Sequence, residues 1–316
     1  MLSLLIFSLQ ITLPIAIIVV LGLYFRTIGW INEPFNQGAS KLVFNVALPS
    51  LLFVSIVTAD ADSDIGWSII GFGVLFTLLT FFGLSLLSHW VTDIREERGV
   101  FVQGAFRGNM GIVGLAFCFS AFGVEGATLA SIYLAALSLV YNVLAVMTLN
   151  RWNSTGEGKN VLMSTVQSLI KNPLIISIMI AGSWRFSGIN VPVFVVESAR
   201  YLSQMTLPLA LLSIGASLSW SGFKSAGKVT AWASILKLVV IPYLAAFSAF
   251  LFGFRGMELG VMFLMMATPT AAASYMMVRA MGGNASLAAS IIAVTTVFSL
   301  ITTSFGLVAI KALNWI

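Results

Sequence analysis

The sequence predicts an all-α integral membrane protein with ten transmembrane helices in two inverted five-helix repeats, helices four and nine being broken where they cross. Three observations carry this prediction. The 316 residues are 59% hydrophobic and only 9% charged, with a mean hydropathy of +1.02, whereas a soluble domain carries roughly 25% charged residues. Apolar stretches of about 20 residues, the length that crosses a bilayer, recur along the whole chain. The second half also repeats landmarks of the first at a constant offset.

The spans are placed at 4–24, 38–59, 65–88, 99–122, 126–149, 163–184, 193–219, 229–252, 257–281 and 285–310. The first is too long for a signal-peptide core and lacks a basic start and an A-x-A exit, so it is read as a retained helix. Connecting loops are short. The polar stretch with Asn150, Arg151, Asn153, Gly156, Glu157, Gly158 and Lys159 separates five spans from five. This gives a first repeat at 1–150, a cytoplasmic connector at 151–160 and a second repeat at 161–316.

A shift of 159 residues carries Pro14 to Pro173, Arg26 to Arg185, Gly29 to Gly188, Leu48-Pro49 to Leu207-Pro208, Gly123 to Gly282, and Ala130-Ser131-Ile132 to Ala289-Ser290-Ile291. Each half has an odd number of spans, so the second copy is inverted in the membrane. Inverted repeats with helices interrupted at equivalent positions mark secondary transporters.

Span four carries the first interruption. Gly104, Arg107, Gly108, Asn109, Gly111 and Gly114 lie mid-way along an apolar segment. Polar groups in hydrocarbon are costly, and clustered glycines weaken a helix. Unwound backbone at membrane depth is tolerated only inside protein or beside a water-filled cavity. Close packing through small residues explains the glycines equally well. The offset carries Asn109 to Thr268, within Ala267-Thr268-Pro269-Thr270-Ala271. Pro269 removes a backbone donor in the middle of span nine, which favours a pair of symmetric breaks.

Loops on one side hold Arg26, Arg95, Arg98, Arg151, Lys159, Lys224, Lys228 and Arg279. The other side holds Arg185, Arg255 and Lys311, with the acidic turn Asp60, Asp62 and Asp64. The first set therefore faces the cytoplasm and both termini face outward. This bias accounts for the net charge of +5, so no nucleic-acid partner is implied. Asn153-Ser154-Thr155 would face the cytoplasm and is discounted as a glycosylation site. A single cysteine, Cys118, excludes an internal disulfide and any cysteine-based metal cluster. The single histidine, His89, sits at a helix end. No metal, cofactor or catalytic residue is expected.

If the breaks cross, the positive ends of two half-helices converge and favour an anion. The candidate substrate site comprises Gly108, Asn109, Met110, Gly111 and Ile112 from span four, and Thr268, Pro269, Thr270, Ala271 and Ser274 from span nine. Amides around Gly111 and Ile112 and those of Thr270 and Ala271 are candidate donors. Arg107 either pairs a carboxylate directly or snorkels to the inner face. Asn142 in span five is a further candidate. Asn45 in span two lines the path or bonds a neighbouring helix. Lys237 in span eight is read as a partnered structural lysine, and Glu197 with Arg200 as an i,i+3 pair. All eleven acidic residues fall in loops or near span ends, Glu197 apart. A proton or sodium symporter often uses a buried carboxylate. Export of an anion driven by the inside-negative potential gains about 2.3 kcal/mol per charge per 100 mV.

Three motifs carry a family resemblance. Arg107-Gly108-Asn109-Met110-Gly111-Ile112-Val113-Gly114-Leu115 resembles the fourth span of the auxin efflux carriers. Residues 207–218, Leu-Pro-Leu-Ala-Leu-Leu-Ser-Ile-Gly-Ala-Ser-Leu, resemble their seventh. Thr268-Pro269-Thr270-Ala271 with Gly282-Gly283-Asn284-Ala285 resembles their ninth and the turn after it. The resemblance implies a scaffold of spans 1, 2, 6 and 7 that forms a homodimer, and a moving domain of spans 3–5 and 8–10 working as an elevator. It also implies that Asn109 contacts substrate. Many relatives have a proline in the span-four break where this chain has glycines. The long central loop of plant carriers is missing, which is similar to compact bacterial members that carry malonate, malate or other organic acids across the inner membrane. A sodium-coupled bile-acid-type carrier and an anion channel are the alternatives.

Overall fold

A computed structural model of the chain describes residues 2–58, 67–152, 173–218 and 226–316. The acidic turn at Asp60, Asp62 and Asp64, the Asn153-Ser154-Thr155 sequon, Glu157, Lys159, most of the 151–160 connector, the start of span six and Lys224 lie outside the described residues.

Every named element is helical. A bilayer leaves no water to satisfy backbone groups, so each segment must bond to itself. α1 (Leu2–Thr27) contains Pro14. α2 (Glu33–Leu42), a π-helical turn at Val43–Ala47 and α3 (Leu48–Val57) form one segment over span two. α4 is Trp67–Val91. α5 (Arg95–Phe106), a π-turn at Met110–Gly114 and α6 (Leu115–Trp152) cover spans four and five. Within α6 the chain turns at Gly123 (φ 65°, ψ −148°), between the two predicted segments. α7 (Pro173–Ser187), α8 (Val193–Gln204) and α9 (Thr206–Ser217) follow. α10 (Lys228–Ile235), a third π-turn at Leu236–Val240 and α11 (Ile241–Leu251) lead to α12 (Gly256–Met266), α13 (Ala273–Ala280) and α14 (Ala285–Ala312). Among the described residues, five stretches are long and apolar enough to cross a membrane: Leu9–Thr27, Trp67–Val91, Met110–Trp152, Lys228–Leu251 and Ala285–Ala312. Asn45–Val54 and Gly256–Met266 are shorter apolar helices. The described residues are those of an all-helical integral membrane protein.

Two groups of helices pack internally. α1 lies along α9, and α3 lies along α7 and α8. The α1–α9 contact is a reciprocal pair of glycines. A Cβ on Gly22 would overlap the Leu212 carbonyl, and one on Gly215 would overlap that of Val19 and stand 2.9 Å from the Leu23 nitrogen. Only glycine lets two backbones approach this closely. The second group joins α4, α5 and α6 to α10, α11, α12 and α14. Its centre holds the fully buried Phe101, Phe117, Tyr133, Leu137 and Phe263.

Several landmarks 159 residues apart share a role. Arg26 Nη1 donates to the Ala216 and Leu218 carbonyls (2.8 Å each), ending α9. Arg185 Nη1 donates to the Ile56 carbonyl (2.9 Å), near the end of α3. Each arginine thus meets, in the opposite half, carbonyls orphaned at a helix C-terminus. Gly29 and Gly188 both have positive φ (82° and 68°), as do Gly123 and Gly282 (65° and 75°).

Candidate substrate site at the helix crossing

Three non-helical residues, Arg107 to Asn109, separate α5 from the next π-turn. Arg107 (φ −83°, ψ 100°) ends α5, and Asn109 (φ −80°, ψ 59°) precedes Met110–Gly114. Here the chain meets the span-nine break as a one-residue antiparallel bridge, Gly108 against Thr270. Asn109 N donates to the Pro269 carbonyl at 2.7 Å, and Ala271 N donates to the Arg107 carbonyl at 3.0 Å. Each break satisfies backbone groups that the other releases. Gly108 is required for the approach: a Cβ there would overlap Thr268 Oγ1 and stand 2.9 Å from Lys237 Nζ. Break and close packing are thus one feature, since a Cβ on Gly114 would likewise stand 2.6 Å from Met265 Sδ and one on Gly104 would crowd Ile291.

The crossing is open on one side only. Asn109, Gly111 and Ile112 are half-buried. Met110, Gly111 and Ile112 begin a helix after extended chain, so their amides have no carbonyl one turn back to bond. Among the described residues, neither these amides nor the Asn109 side chain meet a partner. A Cβ on Gly111 would find ordinary contacts, Leu134 Cδ2 at 3.6 Å and Leu48 Cδ1 at 3.9 Å, so this side faces both the second and the fifth span.

The span-nine side is closed, which corrects the expectation of donors from both breaks. Thr270 N donates to Thr295 Oγ1 (3.1 Å), and Ala271 N is held by Arg107. Thr268 Oγ1 donates to the Met265 carbonyl (2.8 Å), and Thr270 Oγ1 to that of Gly104 (2.6 Å). Both threonines are buried, as is Ala271. Their polar groups answer carbonyls freed by the break, so they brace the crossing.

Arg107 is 9% exposed and does not snorkel to the inner face. Its Nη2 donates to Asn142 Oδ1 at 2.7 Å, and its Nη1 contacts Met277 Sδ. Asn142 is thereby placed beside the crossing as the guanidinium's acceptor. Among the described residues Asn45 does not bond a neighbouring helix: its exposed Nδ2 donates to the Lys41 carbonyl one turn back (2.8 Å). Its amide answers a carbonyl of its own helix where the π-turn loosens the ladder. Ser274 is buried, and its hydroxyl has no partner among the described residues. Lys237 is fully buried and donates to the Met266 carbonyl at 3.0 Å. Glu197 and Arg200 pair at 3.7 Å on a half-exposed face.

Two neighbours escaped the sequence reading. Gln103 is fully buried one turn before Arg107, and its Nε2 approaches Met277 Sδ at 3.7 Å while Oε1 is unpartnered. Its i−4 spacing from Arg107 on one apolar helix was a usable signal. Thr295, which takes the Thr270 amide, lies in an apolar run with no such signal.

A broken-helix crossing inside an all-helical membrane protein defines a class, the membrane carriers with discontinuous helices. Residues 7–307 match the model of the family described as "Membrane transport protein". The chain belongs to this family, that of the auxin efflux carriers. It is 28% identical to the uncharacterized transporter MJ1031 of Methanocaldococcus jannaschii, over 97% of this chain and 98% of that one. An uncharacterized transporter of Methanothermobacter thermautotrophicus is 24% identical over 93% of this chain and 96% of its own. The uncharacterized transporter YfdV of Escherichia coli K12 is 24% identical over 89% of this chain and 92% of its own.

Proposed function

We propose that this protein is a carrier of small organic anions, of the malonate, malate or auxin-like carboxylate kind, and that the substrate carboxylate is held at the open side of the crossing. The observation that carries this is the Asn109 side chain beside the amides of Met110, Gly111 and Ile112, none of which meets a partner among the described residues. A helix N-terminus with free N–H groups favours an anion, and the amide of Asn109 adds a donor and an acceptor. The surrounding charge agrees. Among the described residues, the buried charged side chains are Arg107 and Lys237. Both are basic and no acidic side chain is buried with them among the described residues, so the local field favours a negative occupant.

The movement is of the elevator type. The architecture behind it is ten spans in two inverted repeats, 1–150 and 161–316 about the 151–160 connector, with both termini outside the inner membrane. Two features support it: the reciprocal capping by Arg26 and Arg185, and the glycine pairs that share a conformation across the repeat. The α1–α9 and α3–α7–α8 group acts as the scaffold and pairs with a second copy. The group of α4–α6 and α10–α14 carries the crossing.

The test uses purified protein in proteoliposomes. With an interior-positive potassium diffusion potential and no sodium, uptake of labelled malonate, malate or an aryl acetate should rise with the potential. Uptake of each label that ignores the potential and requires sodium would overturn a potential-driven anion carrier and favour the bile-acid-type reading.

A further inference from the structure

We infer that the Lys237 ammonium is a built-in cation at the span-nine break, filling the place where a carrier of this architecture would otherwise hold a sodium ion. The inference rests on the geometry of the crossing and stands whatever the substrate is.

A helix that stops inside a membrane releases the carbonyls of its last turn. In broken-helix carriers such carbonyls and helix C-termini coordinate sodium. Here α12 stops at Met266, and four carbonyls around its end have identified donors. The Met265 carbonyl accepts from Thr268 Oγ1 at 2.8 Å. The Ala267 carbonyl accepts from Thr303 Oγ1 at 3.5 Å. The Pro269 carbonyl accepts from Asn109 N at 2.7 Å. The Met266 carbonyl would bond Thr270 N in a continuous helix; that amide goes instead to Thr295 Oγ1. The Met266 carbonyl is left to Lys237 Nζ, at 3.0 Å.

Three further features fit a cation position rather than a packing accident. The ammonium sits at the negative end of the α12 dipole, where positive charge is favoured. It touches the crossing itself, because both Nζ and Thr268 Oγ1 lie against the Cα of Gly108. It comes from the π-turn Leu236–Val240, and such turns, which re-aim a side chain, are frequent at functional sites. No buried acidic side chain faces it among the described residues. The carbonyl and the helix end are therefore its counter-charge. A tethered cation travels with the crossing in every half-cycle, loaded or empty, so the protein needs no sodium to neutralise the break.

The experiment compares melting of the full-length protein in detergent, followed by tryptophan fluorescence, in sodium, potassium and N-methylglucamine chloride at equal ionic strength. The proteins are wild type, Lys237→Ala and Lys237→Ser, the last supplying an extra oxygen. Wild type should melt at one temperature in all three salts. The variants should melt lower in N-methylglucamine and recover by a few degrees in sodium, saturably with its concentration. A sodium-specific shift of the wild type would overturn the inference, as would variants that melt alike in all salts. Failure of both variants to fold with sodium present overturns it too, because an ion able to replace the ammonium would rescue them. None of these outcomes bears on anion uptake, which the potential experiment tests separately.

Discussion

Replacing Gly108 by alanine should damage the crossing far more than the same change at Gly111, three residues on. At Gly108 the new methyl overlaps Thr268 Oγ1 and stands 2.9 Å from Lys237 Nζ, where ordinary contact begins at 3.4 Å. Neither neighbour retreats freely. Thr268 Oγ1 is bonded to the Met265 carbonyl and Lys237 Nζ to the Met266 carbonyl. Displacing one forfeits a bond worth about 1 kcal/mol if neutral and about 1.5–3 kcal/mol if charged. Parting the chains instead loses the two bridge bonds, Asn109 to Pro269 and Ala271 to Arg107, at about 1 kcal/mol each. Either route, like overpacking of a tight core in general, costs about 2–4 kcal/mol. For a chain of this size that is a fall of roughly 3–6 °C in melting temperature. At Gly111 the nearest atom is 3.6 Å away, and alanine is the better helix former by about 1 kcal/mol, so the melting point should hold or rise slightly. Both variants would be melted in detergent by tryptophan fluorescence. Equal melting temperatures would refute the claim that the breaks meet through Gly108.

Other substitutions test the remaining contacts. Asn142→Ala removes the acceptor of the buried Arg107 guanidinium and should lower stability by about 2–3 kcal/mol; a loss under about 0.5 kcal/mol in denaturant titration would mean that the bond carries nothing. Gly215→Ala drives a methyl into the α1 backbone at Val19 and should cost at least about 2 kcal/mol, whereas Gly71→Ala, with nothing within 4 Å, should stay within about 1 kcal/mol of wild type. Cysteines at positions 48 and 111, where a Cβ added to Gly111 would stand 3.9 Å from Leu48 Cδ1, should arrest flux when joined by a short thiol cross-linker if the crossing slides past α3. Undiminished flux after verified cross-linking would argue for a fixed pore.

Much of the helical layout was legible because hydropathy and punctuation residues act locally. Pro269, Gly108 and Gly123 break helices by their own covalent chemistry, and each lies at a break or bend in the structure. The offset of 159 residues was visible for the same reason, since Arg26 and Arg185 cap helix ends with a group that needs no particular partner side chain. The two breaks were legible as places, but the bonds between them were not. Asn109 and Gly111 were readable as an open N-terminus. That the Thr270 and Ala271 amides are already occupied depends on Thr295 and on the Arg107 carbonyl, which approach only in three dimensions. Asn45 misled because a polar residue before Leu-Pro fits a path or an interhelical bond equally well; the π-turn, invisible in the sequence, gave its side chain a carbonyl of its own helix. The α1–α9 contact went unread because Gly22 and Gly215 lie far apart in sequence and nothing local pairs them.

Counterflow in proteoliposomes tests the central claim most directly. Vesicles loaded with unlabelled malonate, malate or an aryl acetate are diluted into the same labelled acid, with wild type and Asn109→Ala compared at matched, folded protein. The wild type should accumulate at least one label transiently, and Asn109→Ala, melting like the wild type, should accumulate none. Equal accumulation by the variant would contradict the placement of the anion at the crossing, and no accumulation of any acid by the folded wild type would contradict the organic-anion carrier itself.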